Sequence, residues 1–191
     1  MSKDIAIFYP ETQAAWRKWL DKNHEIAQAV WLVFHTKKSG RKTITWSEAV
    51  DVALCYGWID SKKIKVDEHT AHQFFSKRKA KSTWSRINKE KVAQLVDAGL
   101  MKPAGHASIE TAQQNGSWTI LDDVEALIIP EDLEAALKQH KDAPDFFMGL
   151  SKSVKKMILY WVKSARQEAT RKNRIDEIAE QAGRGEKPKQ F

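Results

Sequence analysis

The sequence predicts an α+β protein, in which a small, mostly antiparallel sheet flanked by helices is followed by a C-terminal helical region. Strand-like runs rich in β-branched and aromatic residues lie within residues 29–76. Apolar residues recur at helical spacing before and after that stretch. The chain has 191 residues, 42% of them hydrophobic, which is enough to bury a core without a disulfide or a metal.

The first elements are predicted from local signals. Residues 1–10 form an extended lead-in, because Pro10 restrains the residue before it away from the helical conformation. Thr12 is placed to cap a helix that runs to about Asn23. The apolar run Ala29–His35 is too short for a helix and is predicted to be a strand buried on both faces.

The next helix and the strand pair after it have clearer boundaries. Thr45 and Glu48 have the spacing of a capping box, and Gly57 can adopt the left-handed conformation that ends a helix. Residues 58–66 and 70–76 then alternate as two strands joined by a turn. The first of these strands is predicted to place three apolar side chains on one face: Trp58, Ile64 and Val66.

Helical signals continue to the end of the chain. Helices are predicted to start at serine caps or at proline in the first helical position: Ser82 or Ser85, Pro103, Pro130, Pro144, and Ser151 or Ser153. We predict an α+β part over residues 1–102 and a helical part over residues 103–182 packed on it. The tail, residues 183–191, contains almost nothing to bury and is predicted to be disordered.

Positive charge is concentrated in two places. Residues 61–91, called here the basic aromatic segment, contain ten Lys/Arg and three acids, a net charge of +7 that equals the +7 of the whole chain. Residues 151–191 contain eleven bases and five acids. A pI of about 9.4 favours anionic partners.

Short motifs along nearly the whole chain resemble one protein family. They are WxxWL at 16–20, VWLV at 30–33, ITWSEA at 44–49, ALCYGWIDS at 53–61, FSKRK at 75–79, KSxWSxxN at 81–88, GLMxPAG at 99–105 and TRxxR at 170–174, where x is any residue. In this order they resemble the bacterial YdeI/OmpD-associated proteins, also named bacteriocin-protection proteins. The resemblance implies a compact α+β unit followed by helices and an association with resistance to antimicrobial peptides or bacteriocins. It implies no reaction.

The basic aromatic segment is the first candidate site. Arg78, Lys81, Ser82 and Arg86 surround Trp84 in sequence. Cations interleaved with aromatic rings suit phosphate neutralisation and base stacking. The candidate partners are a nucleic acid, a phosphorylated small molecule or an acidic protein. The alternative is a solvated basic face with the tryptophan in the core.

A second basic patch contains Arg171 and Arg174 on a predicted helix. It is interpreted either as a solvated helix face or as a surface that contacts the same ligand.

An aromatic pocket is the other candidate site. Asp60 follows a helix end and could act as a base or bind a cation if it projects into a cleft. Alternatively, it forms an ion pair with Arg78 or Arg86. The residues proposed to line the pocket are Trp31, Tyr56, Trp58, Asp60 and Trp84.

Other reactive residues indicate no chemistry. Cys55 is the single cysteine, which excludes an intrachain disulfide and favours a buried, inert thiol. His69 and His72 would project from opposite faces of a strand, a poor arrangement for a metal. We predict no metal and no cofactor.

The location and the function are predicted together. The N-terminus lacks the apolar core of a signal peptide, and no apolar run approaches the ~20 residues of a membrane span, so we expect a cytoplasmic protein. The predicted function is that of a non-catalytic stress or peptide-resistance protein that binds an anionic partner. The alternative is a small enzyme or small-molecule-binding protein that uses the aromatic pocket. The oligomeric state stays open.

Overall fold

In the computed structural model, which describes residues 5–191, the chain forms two units, Met1–Thr119 and Ile120–Phe191. The boundary lies later than the predicted one after residue 102, so the helix that begins at Pro103 belongs to the first unit. The elements of the first unit are β1 (Ile7–Phe8), α1 (Gln13–Asn23), β2 (Ala29–His35), α2 (Trp46–Cys55), β3 (Trp58–Lys65), β4 (Thr70–Lys77), α3 (Arg86–Asp97) and α4 (Pro103–Gln114).

The four strands form one sheet in the order β1-β2-β4-β3. The short β1 pairs with β2 in parallel, and the other two pairings are antiparallel. The predicted α+β class and the mostly antiparallel sheet are therefore confirmed.

The local signals that set the helix boundaries act as predicted. The Thr45 hydroxyl accepts a hydrogen bond from the Glu48 amide (3.2 Å), and the Glu48 carboxylate accepts from the Thr45 amide (2.7 Å). This capping box begins α2. The helix ends just before Gly57, whose φ of 70° lies in the left-handed region that glycine adopts without strain.

Strand β2 is buried on one face, not on both as predicted. Val30 and Leu32 are fully buried, whereas Trp31 and Val33 are half-buried on the opposite face. The helices of the first unit supply the core residues that cover the buried face. The run Ala29–His35 is apolar throughout because one face of the strand packs in the core and the other carries an aromatic outer surface.

A β-bulge changes the predicted pattern of β3. The pairing with β4 shifts between Asp60 and Lys63, so the residues after the bulge face the opposite way from those before it. Trp58 is fully buried in the core, but Ile64 is 43% exposed. The prediction that Trp58, Ile64 and Val66 share one face is therefore wrong.

The second unit consists of helices. They are α5 (Asp122–Glu125), α6 (Glu131–Lys138), α7 (Ala143–Gly149), α8 (Lys152–Lys163) and α9 (Glu168–Gly183). Leu133, Phe147, Ile158 and Ile178 are at the centre of its core. The tail differs from the predicted disordered segment, because Pro188 is buried and the Phe191 ring lies 5.8 Å from that of Trp161.

None of the helices within residues 5–191 has both the length and the apolar character needed to cross a bilayer. Within the same residues, no group of three or more His, Cys, Asp or Glu side chains is arranged to hold a metal ion.

Candidate functional site

Trp84 is a core residue. It is 1% exposed, its ring lies 5.0 Å from the Trp118 ring, and the Arg78 guanidinium carbon lies 3.6 Å from its ring centre. The ring therefore has no face free to stack on a ligand. Of the alternative interpretation, a solvated basic face with the tryptophan in the core, the placement of Trp84 is correct. Arg78, however, is buried and not solvated.

Asp60 is held by neutral donors. Its carboxylate accepts hydrogen bonds from the Trp46 indole N–H (2.8 Å) and from the Gln73 amide (3.0 Å). Arg86, one of its two expected ion-pair partners, pairs instead with Glu90 at 3.5 Å. The other, Arg78, stacks on Trp84 as described above.

The other predicted residues are dispersed. Trp31 lies on the outer face of the sheet beside Phe74, whereas Trp58 lies in the core on the opposite face. Lys81 is exposed and Ser82 half-buried in the connection between β4 and α3. The Arg86 side chain is 72% exposed.

In the second unit, the two predicted arginines hold helices together. Arg171 on α9 donates two hydrogen bonds to the Asp132 carboxylate of α6, at 2.7 and 2.9 Å. Arg174 donates to the Trp161 carbonyl (2.5 Å) and stacks on the Trp161 ring at 5.0 Å. The guanidinium groups thus make contacts that stabilise the packing of α9 on α6 and α8.

Three of the predicted residues, Tyr56, Trp58 and Arg78, do line one cleft of ≈ 370 Å³ in the first unit. The cleft lies between the end of α1, the α2–β3 junction, the end of β4 and one face of α4. Sequence reasoning missed its other lining residues, which are His24, Glu25, Gly57, Lys77, Ala80, Ala104, Ala107, Ser108 and Thr111.

Small residues let α4 approach the α2–β3 junction and form this cleft. A Cβ atom added at Gly105 would lie 2.4 Å from the Cys55 carbonyl oxygen, and one at Gly57 would lie 2.8 Å from that of Ala104. The Lys102 amide also donates a hydrogen bond to the Cys55 carbonyl (3.0 Å). The signal in the sequence was the set of small residues Ala104, Gly105, Ala107 and Ser108.

Two residues that line the cleft carry a buried hydrogen-bond donor without a partner. The donors are the Trp58 indole nitrogen Nε1 and the Arg78 nitrogen Nε, and neither has a hydrogen-bond partner within residues 5–191. A buried donor left unpaired costs about 1–3 kcal/mol, and more when it is charged.

The charge of Arg78 is held in an unfavourable environment. Burial lowers the pKa of Arg78 to about 10, and the nearby Asp60 carboxylate opposes this shift. The guanidinium is still protonated at neutral pH. Its Nη1 donates to the Thr83 carbonyl (3.0 Å). The adjacent Lys77 ammonium donates to the Glu25 carbonyl (2.7 Å).

Two titratable groups at the end of α2, Tyr56 and Cys55, are held in their neutral form. Burial raises the pKa of Tyr56, and its hydroxyl donates to the Asp21 carboxylate (2.6 Å), which raises that pKa further. Burial also raises the pKa of the Cys55 thiol, although Arg17 opposes this. At neutral pH neither group is the anion that a nucleophile requires.

Comparisons with known families assign both parts of the chain. Residues 8–108, more than half of the chain, match the model of a domain of unknown function (DUF8412). The chain belongs to this family. Searches of curated proteins and of solved structures gave no match.

The family resemblance found in the sequence is confirmed by a second match. Residues 126–185 match the model described as bacteriocin-protection, YdeI or OmpD-associated. Of the motifs that indicated it, only TRxxR at 170–174 lies within this match. The other motifs lie within residues 8–108, in the DUF8412 domain.

Proposed function

We propose that the protein is a non-catalytic binding protein and that its DUF8412 domain binds a small organic anion in the cleft lined by Trp58 and Arg78. One observation carries this proposal: two residues that line the same cleft, one of them a cation, each carry a buried donor that has no partner within residues 5–191. A carboxylate or phosphate group supplies both the charge and the acceptors that these donors lack.

An anion is favoured over a neutral ligand by the charge of Arg78. A hydrogen bond to a charged group contributes about 1.5–3 kcal/mol, roughly twice the contribution of a neutral one. Burial has already removed much of the water around this guanidinium, as its lowered pKa indicates. The ligand therefore gains the charge interaction without the full desolvation of the arginine.

The rest of the lining favours a ligand with an apolar body. Ala104 and Ala107 present methyl groups, and Ser108 and Thr111 add hydroxyl groups beside them. Pockets for small molecules typically combine such apolar walls with a few placed polar groups. The neutral states of Tyr56 and Cys55 support binding without covalent chemistry.

The proposal keeps the anionic partner predicted from the sequence but moves its binding site from the basic aromatic surface to the cleft. Arg78 is the central cation, and the exposed Lys81 and Arg86 contribute long-range attraction. Trp84 supports the guanidinium from within the core. We propose that anion binding serves the bacteriocin-protection role after which the family matched at residues 126–185 is named.

Isothermal titration with phenyl phosphate and benzoate tests this proposal. We expect binding of at least one of the two anions and none of the neutral analogue benzyl alcohol. The R78M variant, which keeps the packing on Trp84 without the charge, should weaken binding by about 10- to 100-fold. W58F, which removes the indole N–H together with part of the buried ring, should weaken it by about 3- to 10-fold.

R86A is the matched control, because this arginine belongs to the same basic aromatic segment but its side chain is 72% exposed. Loss of an exposed charge should change the affinity by about twofold or less. Equal losses in R78M and R86A would indicate attraction by overall charge and contradict the cleft. Binding of benzyl alcohol as tight as that of the anions would contradict the proposed role of Arg78.

A further inference from the structure

The outer face of the sheet carries an aromatic surface that is separate from the cleft. Trp31 on β2 and Phe74 on β4 are directly paired in register, with their ring centres 4.9 Å apart. His72 lies beside Trp31 on the same face, at 6.4 Å between ring centres. The helices of the first unit pack on the opposite face, around Val30 and Phe75.

A lysine lies over both rings of this outer face. The Lys62 ammonium is 5.3 Å from the Trp31 ring centre and 5.5 Å from that of Phe74. Lys62 sits at the β-bulge of β3, which turns it and Ile64 toward the outer face. The bulge therefore places a cation against two aromatic rings on an open sheet surface.

The charges around these rings are mostly positive. Exposed bases occupy the edge strand β3 and the loop after β2. This loop lies next to the start of β4, because the Thr36 amide donates a hydrogen bond to the His69 carbonyl (2.9 Å). The bases are Lys37, Lys38, Arg41 and Lys42 in the loop and Lys62 on β3, whereas Lys63 and Lys65 on the same strand are on its opposite face. The acids in the adjoining turn are Asp67 and Glu68.

We infer that this outer face binds a single-stranded nucleic acid. Bases stack on Trp31 and Phe74, Lys62 on β3 neutralises a phosphate, and the strand runs toward the basic loop at residues 37–42. Aromatic rings on an open sheet, flanked by cations, are the arrangement with which sheet-based domains bind unpaired bases. The positive charges around the rings complement the negative phosphate backbone. They therefore favour a nucleic acid over an apolar protein as the partner of this face.

The inference is independent of the small-anion proposal, because the two surfaces share no residue. The lysines of β3 also have an alternative explanation, a purely structural role. Lysines on an edge strand prevent edge-to-edge association of sheets and need no ligand. That role explains Lys63 and Lys65 on the edge, but it does not require Lys62 to lie over two aromatic rings.

Fluorescence anisotropy with a labelled oligothymidylate, at low and at physiological salt, tests the inference. We expect binding that weakens as salt rises, because phosphate contacts release counterions. F74A and W31A should each weaken binding by about tenfold, since one stacked base is lost. K62Q, which leaves the rings in place, should weaken binding and reduce the salt dependence.

Three controls separate stacking from general charge attraction. The same sequence as a duplex should bind more weakly, because its bases are already stacked. R86A and R78M should leave oligonucleotide affinity within about twofold, since these residues lie outside the outer face. The inference is overturned if duplex and single strand bind equally, if K62Q and W31A both bind like the unaltered protein, or if no binding occurs at low salt.

Discussion

Replacing Trp84 by alanine is expected to lower the free energy of unfolding by about 3–5 kcal/mol, the range for loss of a large buried aromatic side chain. Trp84 is 1% exposed and contacts Trp118 as well as the buried Arg78 guanidinium. Its removal leaves a cavity and also uncovers the side of Arg78 that the ring now covers. The change in the free energy of unfolding is measured by urea denaturation, with unfolding monitored by circular dichroism.

W46A is the matched control for this prediction. Trp46 is 52% exposed, and its indole donates one hydrogen bond to Asp60, so its loss should cost about 1 kcal/mol. W84F should restore part of the stability of W84A by refilling the cavity. If W84A is as stable as W46A and instead loses ligand affinity, Trp84 is a binding residue and its assignment to the core is wrong.

Replacing Gly105 by alanine should destabilise the protein by about 2–3 kcal/mol, although alanine is the better helix former by about 1 kcal/mol. The added Cβ would lie 2.4 Å from the Cys55 carbonyl oxygen and 2.8 Å from its carbon. These are backbone atoms at the end of α2, so α4 itself must move away. The hydrogen bond from the Lys102 amide to the same carbonyl would be weakened as well.

G149A is the control, because Gly149 is also helical and an added Cβ there meets no atom within 4 Å. It should be neutral or slightly stabilising. Because α4 forms one wall of the cleft, G105A should also weaken anion binding, whereas G149A should not. Equal stability of the two variants would contradict the close approach of α4 to the α2–β3 junction.

Elements that depend on local chemistry could be predicted from the sequence. The capping box of Thr45 and Glu48 and the left-handed Gly57 fixed both ends of α2, because each acts within one turn of the chain. The strand pairing followed from alternation and turn signals in the same way.

Features that depend on distant contacts could not be predicted. The β-bulge between Asp60 and Lys63 has no distinctive residue, and it reverses the side of Ile64. Trp84 precedes a helix among cations, and only its packing on Trp118 distinguishes a core residue from a stacking platform.

Only part of the candidate cleft could be predicted, because its other residues depend on distant contacts. Tyr56, Trp58 and Arg78 were identified from one continuous segment, but α4 lies about 30 residues further along the chain. Its contribution depends on backbone approach at Gly57 and Gly105. Small residues permit such an approach but do not specify the partner, so Ser108 and Thr111 could not be assigned to the cleft in advance.

An NMR titration of the indole N–H groups tests the anion-binding cleft most directly. Trp16 and Trp46 already donate to the Ala49 carbonyl and the Asp60 carboxylate, and they serve as internal references. With phenyl phosphate or benzoate, the Trp58 N–H resonance should move downfield as it gains an acceptor. R78M should need about 10- to 100-fold more anion for the same shift. A Trp58 resonance that stays in place at saturating anion, with both references also unchanged, would contradict the cleft as the binding site.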